Sequence, residues 1–144
     1  MGAAREHIEH FLDLWNNGDF DKVQTGMADD QVWVSPLWAQ LTGSEAILNR
    51  YRADRTAFPD RRIDVSKWVE EGDTVVAEYE WSGTHTGPLL LADGSELAPT
   101  GQHTTLMGVE VFEVRDGKTV TQHSYFDQLP AMMQAGVVAP TQQP

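Results

Sequence analysis

Two runs of strand-forming residues, 104–114 and 118–127, meet at the dipeptide Asp116-Gly117. An Asp-Gly pair takes the backbone angles that a tight hairpin turn needs, so the two runs are predicted to pair antiparallel. That pairing commits the C-terminal half of the chain to a sheet. It also gives the second run two faces, because side chains alternate along a strand. Val120, Gln122, Ser124 and Phe126 fall on one face; Thr121, His123, Tyr125 and Asp127 fall on the other. The second set is a row of polar and ionisable groups that either meets water or lines a cavity. Gly108, inside the first run, marks a bulge or the close approach of another group.

Upstream the periodicity is helical. Ile8, Phe11, Leu12 and Trp15 share one stripe, predicting a helix over 4–17 that stops at Asn17-Gly18. His7 and His10 belong to its solvated face. A short second helix follows over 19–26, then a strand over 31–35 that Pro36 ends, with Leu37-Trp38 continuing it irregularly. Ser44 caps a third helix, with Ile47 and Tyr51 on its buried side and Arg50, Arg52 and Arg55 on its wet side. From Arg61 the period becomes two. Glu71-Gly72-Asp73 makes a turn, and 74–86 forms a long strand that directs Glu78 and Glu80 to water. Residues 87–101 form a long loop carrying Leu89-Leu90-Leu91, which is expected to fold over a pocket mouth or a second subunit. A terminal helix is predicted over 128–136. Helices first and hairpin-linked strands afterwards describe an α+β chain, here a curved antiparallel sheet wrapped around N-terminal helices into a cone.

Composition narrows the function. The 144 residues suit one domain, placed at 1–136, with a frayed tail over 137–144. Twenty-two acidic residues against 10 basic ones, a balance of −12, argue against nucleic-acid binding and an anionic membrane surface. The chain lacks cysteine, which leaves no disulfide, thiolate nucleophile or thiolate metal site. The N-terminus shows no secretory h-region and no run approaches a membrane span, so a cytoplasmic protein is expected. No His and carboxylate spacing suggests a metal, and no phosphate loop, nucleophile elbow or Schiff-base lysine is evident.

Five motifs carry a family likeness: Gly83-Thr-His-Thr-Gly87, Pro99-Thr-Gly101, Gly108-Val-Glu-Val-Phe-Glu-Val-Arg-Asp-Gly-Lys118, Tyr125-Phe-Asp-Gln-Leu129 and Gln134-Ala-Gly136. With them the chain resembles the SnoaL-like polyketide cyclases, or ester cyclases, of the nuclear transport factor 2-like superfold. Ketosteroid isomerase and limonene epoxide hydrolase are relatives in that superfold. The resemblance implies a cone-shaped barrel, often a homodimer through the outer sheet face. It also implies a deep, mostly apolar pocket and chemistry without a cofactor. In such cyclases the acidic residue closing the last strand is the general acid/base of an intramolecular aldol closure, which here is Asp127. Where members often carry a histidine in the first strand, this chain reads Trp33-Val34-Ser35.

A carboxyl of ordinary pKa, about 3.9, needs an apolar setting to exchange protons near neutrality. Trp15, Trp33, Trp38, Trp81 and Met107 are the residues expected to supply it. His123, Tyr125 or His85 would donate to an enolate oxygen, and Tyr51 and His103 complete the expected substrate-binding set. Asp127 could equally cap the terminal helix, and both roles can hold together. The substrate would be a small hydrophobic, polyketide-like molecule. Two other readings stay open. Epoxide opening needs an Asp–Arg–Asp set, whereas Arg61, Arg62 and Arg115 all sit at strand ends. A non-catalytic binding module could use the same cone.

Overall fold

The stripe of Ile8, Phe11, Leu12 and Trp15 is buried in the first helix, α1 (Ala3–Asn17), which Gly18 closes in the left-handed conformation at φ 77°. The computed structural model describes residues 1–134. After α1 come α2 (Phe20–Thr25), β1 (Met27–Ser35), β2 (Ala39–Thr42), α3 (Ser44–Ala57), β3 (Arg62–Glu71), β4 (Thr74–Thr84), β5 (Leu89–Leu90), β6 (Glu96–Leu97), β7 (His103–Arg115), β8 (Lys118–Phe126) and α4 (Gln128–Gln134). The helix end expected at Gly136 and the tail over 137–144 lie outside the described residues.

One sheet runs in the order β2-β1-β8-β7-β4-β3, and β5 and β6 make a separate small hairpin. Neighbours in the large sheet are antiparallel except β1 and β8, which run parallel. The α+β architecture is the expected one, a curved sheet covered on one face by helices. Two elements differ from expectation. β1 starts at Met27, so Asp29 and Asp30 lie within the strand at positions open to water. The irregular segment after Pro36 turns back as β2 instead of continuing β1, and Ala39 takes φ 54° at the reversal.

The core sits between the helices and the concave face. Ile8, Ile47, Leu48, Tyr51, Val75 and Phe112 are all at most 1 % exposed within it. Phe112 decides the orientation of β8, because residues directly opposite each other in a ladder share a face. Phe112 pairs with Gln122 and Glu110 with Ser124. Gln122 and Ser124 are therefore drawn inward and buried. Thr121, His123 and Tyr125 are turned to the convex side. There the row Val69–Val76–Val111–His123–Val34 crosses the sheet.

Candidate active site

The cone encloses a cavity of about 240 Å³. Rings from four elements wall it: Trp15 from α1, Trp33 from β1, Tyr51 from α3, and Tyr79 and Trp81 from β4. Its mouth is framed by Leu37, by Leu89, Leu91 and Leu97 of the small hairpin, and by Met132 of α4. Leu89 and Leu91 of the apolar triplet thus line the pocket, one of the two outcomes expected for it, while Leu90 is exposed. The hairpin is tied down by Arg50, whose Nη1 donates to the Leu90 carbonyl at 2.6 Å. At its root the Thr86 and Gly87 amides both donate to the Ala57 carbonyl.

One carboxyl is buried in this apolar space. Glu110 lies on the inner face of β7, two residues before Phe112, and is 5 % exposed. Every polar side chain that reaches it is a donor. Ser124 Oγ lies 2.8 and 2.9 Å from its two oxygens, Gln122 Nε2 3.4 Å from Oε2, and Tyr79 Oη 3.4 Å from Oε1. Ser124 is itself oriented by the Trp33 indole N–H, which donates to its Oγ at 2.9 Å. Among the described residues no cation pairs with Glu110. Burial pushes its pKa from 4.5 up to about 7, against the opposing pull of the hydrogen bonds from Ser124, Gln122 and Tyr79. Burial, with Glu110 next in size, also drives the Tyr79 hydroxyl far above its ordinary range. Tyr79 therefore stays protonated and available as a donor.

Gly108 makes room for this arrangement. It is no bulge: β4 and β7 pair without interruption through Tyr79 and Gly108. A Cβ at position 108 would fall 2.6 Å from Tyr79 Oη and 2.8 Å from its Cζ. The missing side chain is what lets the phenol lie across β7 and reach Glu110.

A second polar group lines the cavity on α3. Arg50 Nη2 and Asp54 Oδ1 lie 2.8 Å apart, one helical turn from each other, and the guanidinium stacks over Trp38 at 4.8 Å. Burial raises the Asp54 pKa and Arg50 pulls it back. Behind the wall Arg61 is buried, with its guanidinium 3.3 Å from the centre of the Trp15 ring. Burial lowers its pKa to about 9.

Of the residues singled out from the sequence, Trp15, Trp33, Trp38, Tyr51 and Trp81 all line the cavity. The others lie elsewhere, which corrects the expected geometry. Asp127 is exposed at the end of β8, and its Oδ1 accepts the Leu129 amide at 3.1 Å, the capping role. His123 and Tyr125 touch each other on the convex face. Met107 is 77 % exposed on the same face. His103 is exposed and bonded to Thr84. His85 is fully buried, but it packs behind Phe58 with Nδ1 accepting the Thr100 amide. For His123 and Tyr125 the physical reason is the register with β7, which turns the 121–127 parity outward, while Asp127 follows the end of β8 and caps α4. Met107 has the outward parity of β7 itself, His103 begins that strand at the surface, and His85 lies past the end of β4. Sequence reasoning missed Glu110, Tyr79, Gln122, Ser124 and the Arg50–Asp54 pair. The parity that Glu110 shares with Phe112 and Val114 was the available signal. It was masked because the opposite parity, Met107, Val109 and Val111, is equally apolar. Arg50, expected on the wet side of its helix, is instead drawn over Trp38. Among the described residues no cluster of three or more His, Cys, Asp or Glu side chains could hold a metal ion. Among them, too, no helix is long and apolar enough to cross a membrane.

The helix-covered cone is the fold of nuclear transport factor 2-like proteins, shared with such a protein from Burkholderia pseudomallei at a TM-score of 0.78. Within that class the chain belongs to the SnoaL-like polyketide cyclase family, whose model matches residues 5–135. Solved structures share the fold at low identity. A SnoaL-like protein from Jannaschia sp. CCS1 is 22% identical with a TM-score of 0.82, covering 96% of this chain and 94% of its own. IdmH from Streptomyces antibioticus is 23% identical with a TM-score of 0.77, over 93% of this chain and 99% of its own. An LEH-like epoxide hydrolase from M. tuberculosis is 20% identical with a TM-score of 0.72, over 92% and 89%. At these identities the likeness is one of fold. No curated protein matches the sequence.

Proposed function

We propose that the protein is a cofactor-independent cyclase or isomerase that acts by proton transfer on a small, hydrophobic, polyketide-like molecule, with Glu110 as its acid–base group. The observation that carries this reading is a carboxyl buried in a largely apolar cavity and, among the described residues, paired with no cation, its pKa brought to about 7. A group of that pKa is divided between base and acid at neutral pH, which suits it to remove a proton and later return it. The substrate class that fits has a carbon flanked by two carbonyls. Glu110 takes the proton from that carbon, and the electron pair passes into an enolate. The enolate carbon attacks a second carbonyl of the same molecule and forms the ring bond. The resulting alkoxide takes back the proton from Glu110. Tyr79, held protonated beside Glu110, can donate to the enolate oxygen. The aromatic walls hold a flat skeleton and exclude water, which strengthens each of these interactions.

The role expected of Asp127 thus passes to Glu110, two elements of geometry in its favour being its depth and its donor set. The test is exchange of the activated C–H of aromatic 1,3-dicarbonyl compounds in D2O, followed by NMR. Binding is followed separately by tryptophan fluorescence. Glu110→Gln is expected to bind but to lose about 10²–10⁴-fold in exchange rate, while Asp127→Asn exchanges like the wild type. Undiminished exchange in Glu110→Gln would remove the reading, and saturable binding without exchange in the wild type would favour a binding module.

Epoxide opening is the second reading. The observation that favours it is the Arg50–Asp54 pair lining the same cavity as Glu110, a carboxylate–arginine–carboxylate set. Diol formation from a cyclic epoxide would select it. A homodimer through the convex face goes with either reading, as does a cytoplasmic place of action.

A further inference from the structure

Tyr51 carries a hydroxyl that the acid–base step does not use, yet it is 1 % exposed at the centre of the core. Its O–H donates to Gln122 Oε1 at 2.5 Å. The other end of that amide, Nε2, faces Glu110 Oε2. We propose that Tyr51 is a positioning residue: through Gln122 it fixes which end of the amide meets Glu110, and so tunes how tightly that carboxyl holds its proton. This inference rests on the reading of Glu110 as the acid–base group.

A phenol has one proton to donate, and the Gln122 amide has one oxygen to accept it and one NH₂ to pass on. With Tyr51 donating, the amide nitrogen must point to Glu110 and offer a proton to it. A turned amide would set its carbonyl oxygen against the carboxylate, an arrangement tolerated only if Glu110 keeps its own proton. The Tyr51 ring cannot easily shift to allow this. It is held by Phe11, Phe20 and Trp33, at centroid distances of 6.2, 6.3 and 4.9 Å. The other groups facing Glu110 leave Gln122 as the adjustable one. β4 presents Tyr79, which remains protonated, and Ser124 of β8 is already oriented by Trp33. α1 and β1 contribute the rings Phe11 and Trp33, which do not titrate. Three charges act on Tyr51: Glu110 first, then Arg61 and Asp54. Asp54 and its partner Arg50 on α3 also line the cavity that holds Glu110.

The readout needs no substrate. The ¹³C resonance of the Glu110 side-chain carboxyl, identified by its loss in Glu110→Gln, is titrated in protein labelled at glutamate. Tyr51→Phe keeps the ring and removes the donor, so the Glu110 midpoint is expected to rise by about one pH unit. Gln122→Leu, which leaves Tyr51 in place, is expected to raise it as well. In the double variant, Tyr51→Phe should add nothing to the Gln122→Leu shift, because it acts only through that amide. Near-UV circular dichroism checks that each variant keeps its packed core. Two results would overturn the proposal: an unmoved midpoint in folded Tyr51→Phe, or an equal Tyr51→Phe shift with and without Gln122. Should Tyr51→Phe not fold, an unmoved midpoint in Gln122→Leu overturns it alone. Failure of the catalytic reading would show separately, as undiminished C–H exchange in Glu110→Gln.

Discussion

Glu110 lies where two opposing effects meet at a single carboxyl. Burial favours its neutral form, while the Ser124, Gln122 and Tyr79 donors favour the charged one, and burial wins by enough to bring the pKa to about 7. This carries a stability consequence of defined sign. A carboxyl that holds its proton more tightly when folded contributes fully below about 4.5, and that contribution is lost as pH rises through about 7. At about 1.4 kcal/mol per pH unit, the gap is worth about 3 kcal/mol. Glu110→Gln, which is neutral throughout, should therefore gain on the wild type by about 3 kcal/mol between pH 4 and pH 8. Urea unfolding at the two pH values measures this. An equal difference between variant and wild type at both would show that the carboxyl is solvated.

The strand β7 carries the site because its inner face is continuous. Glu110 and Phe112 point inward together, and Gly108 opens the space through which Tyr79 reaches Glu110. Gly108→Ala tests that dependence. The new methyl would meet the phenol at 2.6 Å and the Tyr125 carbonyl oxygen at 3.1 Å, leaving it no easy way out. A loss of about 1–3 kcal/mol in unfolding free energy is expected, of the size seen for overpacked cores. A variant as stable as the wild type would mean that Tyr79 lies elsewhere. At this scale the sequence was readable for elements with a strong pattern. The α1 stripe, the Asp116-Gly117 hairpin and the interior glycine of β7 were all foreseeable. β2 was not, because the turn from Pro36 to Ala39 offers none of the usual glycine or asparagine signals.

For the whole molecule, the convex face remains to be accounted for. Met107, Tyr125 and Val69 are 77 %, 56 % and 47 % exposed there, and Val76, Val109 and Val111 lie between them. These apolar side chains form a patch beside the exposed Glu78 and Glu80 of β4, and an apolar patch rimmed by polar residues is suited to a partner. A second copy of the chain is the partner proposed for it. Met107→Glu places a second charge on that patch beside Glu80, with which Met107 pairs across the ladder. The expected outcome is a wild-type dimer and a monomeric variant in sedimentation velocity. A monomeric wild type would leave the face without that partner.

Read alone, the sequence determined the order of the helices and long strands, the α+β class, the aromatic stock of the pocket and the family, since each depends on local periodicity or on motifs contiguous in the chain. It did not determine which side of β8 is the inside. Both parities of β7 are apolar, so one strand gives no preference, and the choice falls to the pairing of Gln122 with Phe112 and of Ser124 with Glu110. That register moved the candidate site from Asp127 to Glu110. Only the tertiary structure decided it, because a carboxyl acquires its pKa from the groups folded around it, and those come from α3, β4, β7 and β8 at once.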